Sequence, residues 1–445
     1  MERTDEPDLA ALVRQEDLRA VRERLLELDL PVLLDELERL DARARAVAYR
    51  MLPRAASVRV FELLAPALQS ELLTQLRSQD VGLLVAELDP DDRASLLDEL
   101  PTSVARELLT GLEPDERRMT LAVLGYPPES VGRRMTPEVL SLPLGITVAD
   151  ALVQVREGAD AAETIYMLPV VDPGRVVVGV VSLRRLLVTD PETVVDAVMS
   201  APITVTATLD QEVAARSVRD HGALAVPVVD AEDRLLGVLT VDDAMRILEL
   251  EESEDVARSG GTVPTGRPYL STSVWRLVRS RVAWLLILIV AAALTVNVLD
   301  YFEDTLARVV TLALFVPLLI GTGGNVGAQS ATTVIRALAL DEVRTRDVGR
   351  VLVREVAVGV LLGGALALLA FLPSAWLAGV DIAVVLAISL VAVCTLAAGA
   401  GGVIPIVARR LGVDPAVISA PFITTFVDAT GLVVYFLVAG LVLGL

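Results

Sequence analysis

The sequence has no lysine, a single cysteine and a single histidine in 445 residues, and aromatic side chains make up only 4% of it. A single cysteine, Cys394, excludes an intrachain disulfide. One cysteine and one histidine, His221, also offer too few ligands for a zinc or copper site. The chain also lacks a basic excess, since its formal net charge is −20. Without a basic face that neutralises phosphates, nucleic-acid binding is excluded.

A signal peptide is missing as well. The start, Met1–Glu6, is polar and acidic, so we expect the first half to stay in the cytoplasm. Residues 1–270 hold 28 of the 39 basic and 49 of the 59 acidic residues, whereas residues 271–445 hold 11 and 10. The mean hydropathy of +0.59 is too high for an ordinary soluble domain. The sequence therefore predicts an acidic soluble half and a nearly neutral membrane half, which argues against a secreted enzyme and a disordered chain.

The second half contains five runs with no charge or one charge, each close to the ~20 residues that cross a bilayer as a helix. The runs are Val282–Leu299, Val309–Ile335, Val356–Val380, Ile382–Ala408 and Pro415–Leu445. Arginines cluster before the first span, between the second and third, and before the fifth. This alternation predicts five spans in the lipid bilayer, with the N-terminus inside and the C-terminus outside.

Residues 1–130 show the 3.6-residue apolar spacing of helices. Two helix starts are marked by an acid before a proline, Asp89-Pro90 and Glu113-Pro114. Proline suits the first helical position, and acids there cap the helix and complement its dipole. We expect a superhelix of short helix pairs in which most acids serve as caps and keep the domain soluble.

Residues 131–252 contain an internal duplication with an offset of 58 residues. Leu168–Asp172 matches Val226–Asp230, and Gly179–Ser182 matches Gly237–Thr240. Each unit reads as strand, turn, strand and helix, and the repeat resembles a tandem pair of cystathionine-β-synthase (CBS) domains.

Such CBS pairs often bind adenine nucleotides through a Thr/Ser-x-x-Asp motif. The resemblance implies a nucleotide site in the second unit, at Val226, Pro227, Thr240 and Asp243. The first unit has Arg185 in place of the acid, so at most one site is supported. The alternative, that Thr240 only caps the following helix, is equally supported.

A linker follows the duplication. Glu249–Asp255 reads as a strongly acidic helix, and Ser259-Gly260-Gly261 as a flexible connection. Residues 269–281 place apolar side chains on one face and arginines elsewhere, which indicates an amphipathic element on the inner leaflet.

The second span carries residues that weaken a helix, namely Pro317 and four glycines between residues 321 and 327. We expect this span to be broken, and therefore to be buried in protein or to line a wet cavity. Asn325 and Gln329 are four residues apart and share one helical face. Close packing through small residues is the alternative for the glycines, but it leaves the two amides unexplained.

Asp428 falls near the middle of the fifth span, within Thr424–Gly431. A lone carboxylate at that depth is costly and is a functional-site candidate by default. No basic residue lies in any of the uncharged runs to pair with it. One carboxylate with hydroxyls and amides offers an oxygen site that suits Mg²⁺ or Ca²⁺. A neutral, structural aspartate is the alternative.

Four motifs carry a resemblance to the MgtE family of magnesium channels: Pro317…Gly323-Gly324-Asn325-x-Gly327-x-Gln329-Ser330, Arg410–Ala416, Asp428-x-x-Gly431 and Asp160–Tyr166. The domain order agrees over essentially the whole chain. The resemblance implies a homodimer with a pore lined by spans two and five, in which Asp428 holds hydrated Mg²⁺. The implied pore-lining residues are Pro317, Gly323, Gly324, Asn325, Gln329, Thr424, Thr425 and Gly431.

The resemblance also implies that cytosolic acids bind Mg²⁺ and close the gate when the cell is replete. Matching acids are Asp210, Glu212, Asp243, Glu251, Glu254 and Asp255, with a looser match for Asp89, Asp91 and Asp92. Gly222 and Arg246 occupy places that are often acidic in the family. The net charge supports the same hypothesis. Acidic side chains of the cytosolic half repel one another, within one chain and across a dimer, unless divalent cations lie between them.

These observations predict a multi-domain membrane protein: an all-α superhelical N-domain (1–130), tandem α/β CBS domains (131–197 and 198–252), a linker helix (253–280) and a five-helix transmembrane pore domain (281–445). The predicted function is non-enzymatic import of Mg²⁺ across the cytoplasmic membrane, with ATP or another adenine nucleotide as the candidate CBS ligand. A secondary carrier exchanging Mg²⁺, Mn²⁺ or Co²⁺ for Na⁺ or H⁺ is the alternative. A membrane-anchored nucleotide sensor without transport is a third hypothesis.

Overall fold

The computed structural model describes residues 9–15, 17–76, 78–340, 342–418 and 420–444. The chain divides into two compact units. The first unit comprises Met1–Glu251 and Gly266–Thr272, and the second comprises Glu252–Thr265 and Ser273–Leu445. Each unit is described separately below.

Short helices build the N-terminal part of the first unit, and their apolar faces share one core around Phe61 and Leu68. In the described residues they are α1 (Leu9–Arg14), α2 (Leu18–Glu27), α3 (Leu30–Arg39), α4 (Ala42–Tyr49), α5 (Arg54–Leu63), α6 (Pro66–Leu73), α7 (Ser78–Glu87), α8 (Pro90–Glu99), α9 (Thr102–Gly111) and α10 (Pro114–Leu124). Proline opens α8 and α10, as predicted. Glu113 forms a capping box with Glu116, but the Asp89 side chain caps nothing.

A repeat of 24 residues, not recognised in the sequence, closes the ends of these helices. Arg45, Gln69 and Arg93 occur at this interval. Arg45 Nε donates to the Leu37 carbonyl oxygen (3.0 Å), Gln69 Nε2 to that of Phe61 (2.6 Å) and Arg93 Nε to that of Val85 (2.9 Å). Each side chain satisfies carbonyl groups that the end of α3, α5 or α7 leaves without a helical partner. Buried polar side chains thus join consecutive helix pairs.

The two CBS units form two small sheets with matching topology, which confirms the duplication. The first sheet contains β1 (Leu142–Pro143), β2 (Met167–Val171) and β3 (Val177–Ser182), and the second contains β4 (Val205–Thr206), β5 (Ala225–Val229) and β6 (Leu235–Thr240). The first strand of each sheet is parallel to the second, and the second is antiparallel to the third. The helices are α11 (Val148–Gly158), α12 (Leu183–Val188) and α13 (Gln211–His221).

The segment that precedes the first CBS unit packs on the second one. Ser130 pairs with Asp210, and Thr136 pairs with Val238 of β6. Gly237 permits this approach, because a Cβ there would lie 2.4 Å from the Thr136 carbonyl oxygen. The acidic linker helix is the end of a longer helix, α14 (Val241–Ser259), which starts directly after β6.

The second unit consists of long apolar helices. They are α15 (Val274–Tyr301), a short α16 (Glu303–Arg308), α17 (Val316–Ala339), α18 (Val348–Ala378), α19 (Val380–Arg410) and α20 (Ala420–Leu443). Five helices in the described part of the chain are long and apolar enough to cross a membrane, which confirms the predicted spans. Glycines bring α18 and α19 together, since a Cβ at Gly359 would lie 2.6 Å from Thr395 Cα.

The expected break in the second span is wrong. α17 is one continuous helix, preceded by a 3₁₀ turn over Val310–Phe315. Pro317 lies in the first helical turn, where its missing N–H costs nothing. The cost of the glycines in a helix is offset by tight packing, because a Cβ at Gly323 would lie 2.7 Å from Val393 Cγ1.

The helix-closing role of Arg93 can be tested by Arg93→Ala. Arg93 is 3% exposed and also donates to the Ala86 and Leu88 carbonyl oxygens. Its removal leaves buried acceptors without donors, so we expect the free energy of unfolding to fall by about 3 kcal/mol. Denaturant unfolding of the full chain in detergent measures this. The control, Arg106→Ala on an exposed face of α9, should change stability by less than about 0.5 kcal/mol. Equal effects of the two variants would contradict the assignment.

Candidate ion site and its acidic sensor

The candidate ion site lies where α17 and α20 touch. Asp428 is half-buried on α20. A Cβ added at Gly324 would lie 3.4 Å from Asp428 Oδ1 and 3.4 Å from Thr424 Cβ. Gly327 likewise approaches Val427 of α20. The glycines therefore serve close helix packing, and this packing places the carboxylate directly against the backbone of α17.

The Asp428 carboxylate has no counter-charge or hydrogen-bond donor among the described residues. Nearby hydroxyls do not supply one, because Thr424 and Thr425 both donate to the Pro421 carbonyl oxygen, at 2.8 and 2.9 Å. An uncompensated carboxylate inside a membrane costs about 3 kcal/mol. The group is thus left for a mobile partner, either water or a cation.

A polar stripe runs along α17 beside this carboxylate. Asn325 and Gln329 are both exposed in the single chain, and the exposed face continues through Thr333 to Arg336. Amide groups facing acyl chains are unfavourable, so this stripe requires water or a second protein surface. The predicted pairing of the two amides on one face agrees with this arrangement.

Not every predicted pore residue lies on the stripe. Gly323 and Gly431 are buried against Val393 of α19. A Cβ added at Gly323 would lie 2.7 Å from Val393 Cγ1, and one added at Gly431 would lie 3.3 Å from the same atom. Both glycines face the interior of the helix bundle, so their role is packing. Pro317 is exposed at the start of α17.

A second concentration of negative charge lies in the first unit, where α8 meets the start of α14. Asp91 and Asp92 of α8 approach Asp243 of α14, with Asp89 beside them. Burial and the charge of Asp243 raise the pKa of Asp91 well above its ordinary value. Burial likewise raises the pKa of Asp243 to about 6 and that of Asp92 above its usual range.

Three glutamates that the sequence did not single out as sensor residues extend this cluster. Burial and the charges of Asp89 and its neighbours raise the pKa of Glu62 to about 7 and that of Glu163 to about 8, and they also raise that of Glu138. In the sequence, Glu163 appeared only within the Asp160–Tyr166 motif, without a role as a sensor residue. No local pattern marks these acids, because only the tertiary fold brings α5, the first CBS unit and α8 together.

Arg246 is a fixed cation inside the cluster. Its Nη1 lies 2.8 Å from Asp92 Oδ1, and its Nη2 lies 3.8 Å from Asp243 Oδ1. These contacts explain why Arg246 can occupy a position that is often acidic in the family, since its charge neutralises part of the repulsion between Asp92 and Asp243. Gly222, the other departure, ends α13 with φ of 59°, a left-handed conformation that favours glycine over an acid.

The remaining predicted sensor acids have protein partners. Asp210 caps α13 by accepting from the Glu212 and Val213 N–H groups, and Glu212 pairs with Arg216. Glu251 accepts from Gln211 Nε2 at 2.6 Å. Glu254 pairs with Arg258, and Asp255 has a further contact of its own. Within the described ranges, no three acids, histidines or cysteines converge as a metal cage. The acids therefore suit a cation that keeps its water shell.

Of the predicted nucleotide residues in the second CBS unit, two are buried in a strand and two bond to each other. Val226 and Pro227 are buried within β5, and the Thr240 hydroxyl donates to Asp243 Oδ2 at 2.7 Å. A cavity of about 560 Å³ lies in the first CBS unit and is lined in part by Ser182 and Arg185. These two residues are the duplicates of Thr240 and Asp243.

The end of the linker helix is held to the turn that precedes α20. Arg258 Nη1 lies 2.6 Å from Asp414 Oδ2, and both residues belong to the second unit. Asp414 stands next to Pro415, where the 3₁₀ turn leading to the fifth span begins. This ion pair therefore connects α14 to the turn that leads into α20, the helix that carries Asp428.

Comparison with known proteins agrees with this architecture. Residues 316–438 match the MgtE divalent cation transporter family, residues 29–129 match the MgtE intracellular N domain, and residues 129–190 and 194–250 match the CBS domain.

Two relatives are similar over nearly the full length. The chain is 38% identical over 442 residues to the magnesium transporter MgtE of Thermus thermophilus, covering 98% of both chains. It is 32% identical over 428 residues to the magnesium transporter MgtE of Bacillus subtilis, covering 95% of this chain and 93% of that relative.

Among solved structures, the chain resembles the cytosolic domain of the Mg²⁺ channel MgtE in complex with ATP. The identity is 35% and the TM-score 0.51, over 54% of this chain and 99% of that one.

Fold and site together define a multi-domain membrane protein of the cation-transporter class, with an intracellular N domain and a CBS pair. The chain belongs to the MgtE family, as the sequence predicted.

The acidic cluster predicts a pH dependence of the contact between the N-domain and the CBS pair. Groups whose pKa is higher in the docked form bind protons on docking, so docking becomes more favourable as pH falls. With pKa values of about 8 for Glu163, 7 for Glu62 and 6 for Asp243, the change begins near pH 8 and continues down to about pH 4, where these groups ordinarily titrate.

Small-angle scattering of the full-length protein in EDTA measures the effect as a decrease in radius of gyration from pH 8 to pH 6. The Glu163→Gln variant removes the group that titrates highest, so its contraction should be smaller. A radius that is constant or larger at pH 6 would contradict the prediction.

Proposed function

We propose that this chain is a Mg²⁺ channel that assembles as a homodimer and imports Mg²⁺ across the cytoplasmic membrane. The observation that carries the proposal is the half-buried Asp428 carboxylate, which has no counter-charge among the described residues and lies against α17 at Gly324, the residue before Asn325 of the polar stripe. Relatives named magnesium transporter support magnesium as the ion. The arginine-rich connections between the spans support an orientation with the C-terminus outside.

Hydrated Mg²⁺ fits this chemistry better than a bare ion. Mg²⁺ loses water reluctantly and usually binds through one or two carboxylates while keeping several waters. Asp428 would supply the charge, and the Asn325 and Gln329 amides would hydrogen-bond to the water shell. One carboxylate per chain is then sufficient, because two chains about a twofold axis bring two of them to one path.

The exposed stripe of α17 supports the dimer. Asn325 and Gln329 are exposed in one chain although their helix is apolar enough to span a membrane. A second copy placed against this face would cover both amides and enclose a wet path. The alternative carrier hypothesis loses the support of a broken second span, because α17 is one continuous helix.

The ion role of Asp428 is tested by Asp428→Asn. The amide keeps the shape of the side chain but removes the charge that attracts Mg²⁺, so we expect Mg²⁺ uptake into proteoliposomes to fall at least about tenfold, the equivalent of 1.4 kcal/mol. Asp381→Asn, an exposed acid in the first turn of α19, is the matched control and should keep wild-type uptake. Undiminished uptake by Asp428→Asn would contradict the proposal.

Closure by cytosolic Mg²⁺ is the second part of the proposal. The acids around Asp91 and Asp243 are buried close together in the compact unit, where burial first and their mutual repulsion second raise their pKa values. Two charges 4 Å apart repel by about 1 to 4 kcal/mol at effective dielectrics of 80 to 20. Divalent cations would relieve this repulsion only in the compact form, so Mg²⁺ shifts the equilibrium toward it.

An adenine nucleotide is the proposed ligand of the CBS pair. The support is the relative whose cytosolic domain was crystallised with ATP. In this chain, the cavity beside Ser182 and Arg185 has room, and the arginine offers a cation for phosphate. The second-unit residues Thr240 and Asp243 already bond to each other.

The Arg258–Asp414 ion pair should hold the closed gate, because it connects the linker helix to the turn before α20. We expect Arg258→Ala to raise the cytosolic Mg²⁺ concentration for half-closure by about fivefold, since a half-exposed pair contributes about 1 kcal/mol. The exchange Arg258→Asp with Asp414→Arg should restore the wild-type value. The control, Arg350→Ala, removes an exposed arginine near Asp347 and should have no effect. Failure of the exchange to restore closure would argue against the ion pair.

A further inference from the structure

A further carboxylate of the membrane unit, Glu355, lies on a helix outside the proposed pore. Glu355 belongs to α18, directly before the uncharged run of the third span, and is half-buried. Its Oε2 accepts a hydrogen bond of 2.7 Å from the hydroxyl of Ser330 on α17. The same hydroxyl oxygen lies 2.8 Å from the Ala398 carbonyl oxygen of α19. One buried hydroxyl, 6% exposed, therefore joins three helices.

Two adjacent glycines of α19 make room for this junction. A Cβ at Gly402 would lie 2.7 Å from Glu355 Cγ, and a Cβ at Gly401 would lie 2.4 Å from the Gly327 carbonyl oxygen. One glycine thus accommodates the acidic side chain and the other accommodates the backbone of α17. An ionisable side chain within a membrane-spanning helix costs free energy and is a candidate functional position by default.

The junction acts at the level of the polar stripe. Ser330 follows Gln329 directly, but Ser330 faces the bundle interior while Gln329 is exposed. Six residues separate Ser330 from Gly324, which is about 9 Å along the helix axis. A hydrogen bond on the buried face limits rotation of α17 about its own axis. That rotation determines where Asn325 and Gln329 point relative to Asp428.

We propose that Glu355 is a positioning residue for ion permeation: through Ser330 it holds α17 in the rotation that presents Asn325 and Gln329 to the ion beside Asp428. Glu355 itself does not contact the ion. The inference rests on the proposed channel function, and it adds a residue from the third span to the parts that determine selectivity.

The test compares Mg²⁺ and Mn²⁺ uptake by full-length variants in proteoliposomes. Glu355→Ala and Ser330→Ala should each change the Mn²⁺/Mg²⁺ uptake ratio by about fivefold, and the double variant should be no worse than either single, because both remove one interaction. Glu355→Gln keeps an acceptor oxygen and should stay within about twofold of wild type. Ser374→Ala is the control, since its hydroxyl donates only within α18 and should leave the ratio unchanged.

The outcomes separate this inference from the proposed function. If the wild type carries no Mg²⁺, both fail. If the wild type carries Mg²⁺ and Asp428→Asn abolishes uptake, an unchanged ratio in Glu355→Ala overturns the positioning role alone. Additive effects in the double variant, or a Glu355→Gln variant as altered as Glu355→Ala, would also overturn it. Glu355→Gln and size-exclusion profiles keep the test valid if an alanine variant does not fold.

Discussion

Negative charge that is withdrawn from water and not fully neutralised by fixed cations is the constraint on which both parts of this protein depend. In the membrane unit it is one carboxylate, Asp428, beside a helix backbone. In the first unit it is a cluster around Asp91 and Asp243, where burial and mutual repulsion raise the pKa values. Each arrangement costs a few kcal/mol and is relieved by a small, hydrated dication. The same ion can therefore be the substrate of one site and the regulator of the other.

Fixed arginines tune this dependence without removing it. Arg246 compensates part of the charge of Asp92 and Asp243, yet their pKa values remain raised. Arg258 connects the linker helix to the turn before the fifth span. A basic side chain in an acidic interface lowers the amount of divalent cation that the compact form requires. In the proposed channel, the two arginines would shift the Mg²⁺ concentration at which closure takes place and would leave the proposed ion path unchanged.

Local and periodic features were predictable from the sequence, and long-range ones were not. Uncharged runs identified the five spans, the 58-residue offset identified the two sheets, and proline marked the starts of α8 and α10. The break in the second span was wrong, because helix propensity cannot anticipate the packing of Gly323 on Val393. Glu163 was not assigned to the cluster, since its raised pKa comes from burial in the folded unit and from acids that are mostly far away in the chain. Asp428 was identifiable because a charge in an apolar run is unusual whatever surrounds it.

Patch-clamp recording of the purified full-length protein, with Mg²⁺ as the only permeant cation outside and cytosolic Mg²⁺ titrated, tests the account most directly. The account predicts discrete inward Mg²⁺ currents at low cytosolic Mg²⁺ that disappear as cytosolic Mg²⁺ rises. Uptake without single-channel currents, or currents indifferent to cytosolic Mg²⁺, would contradict it.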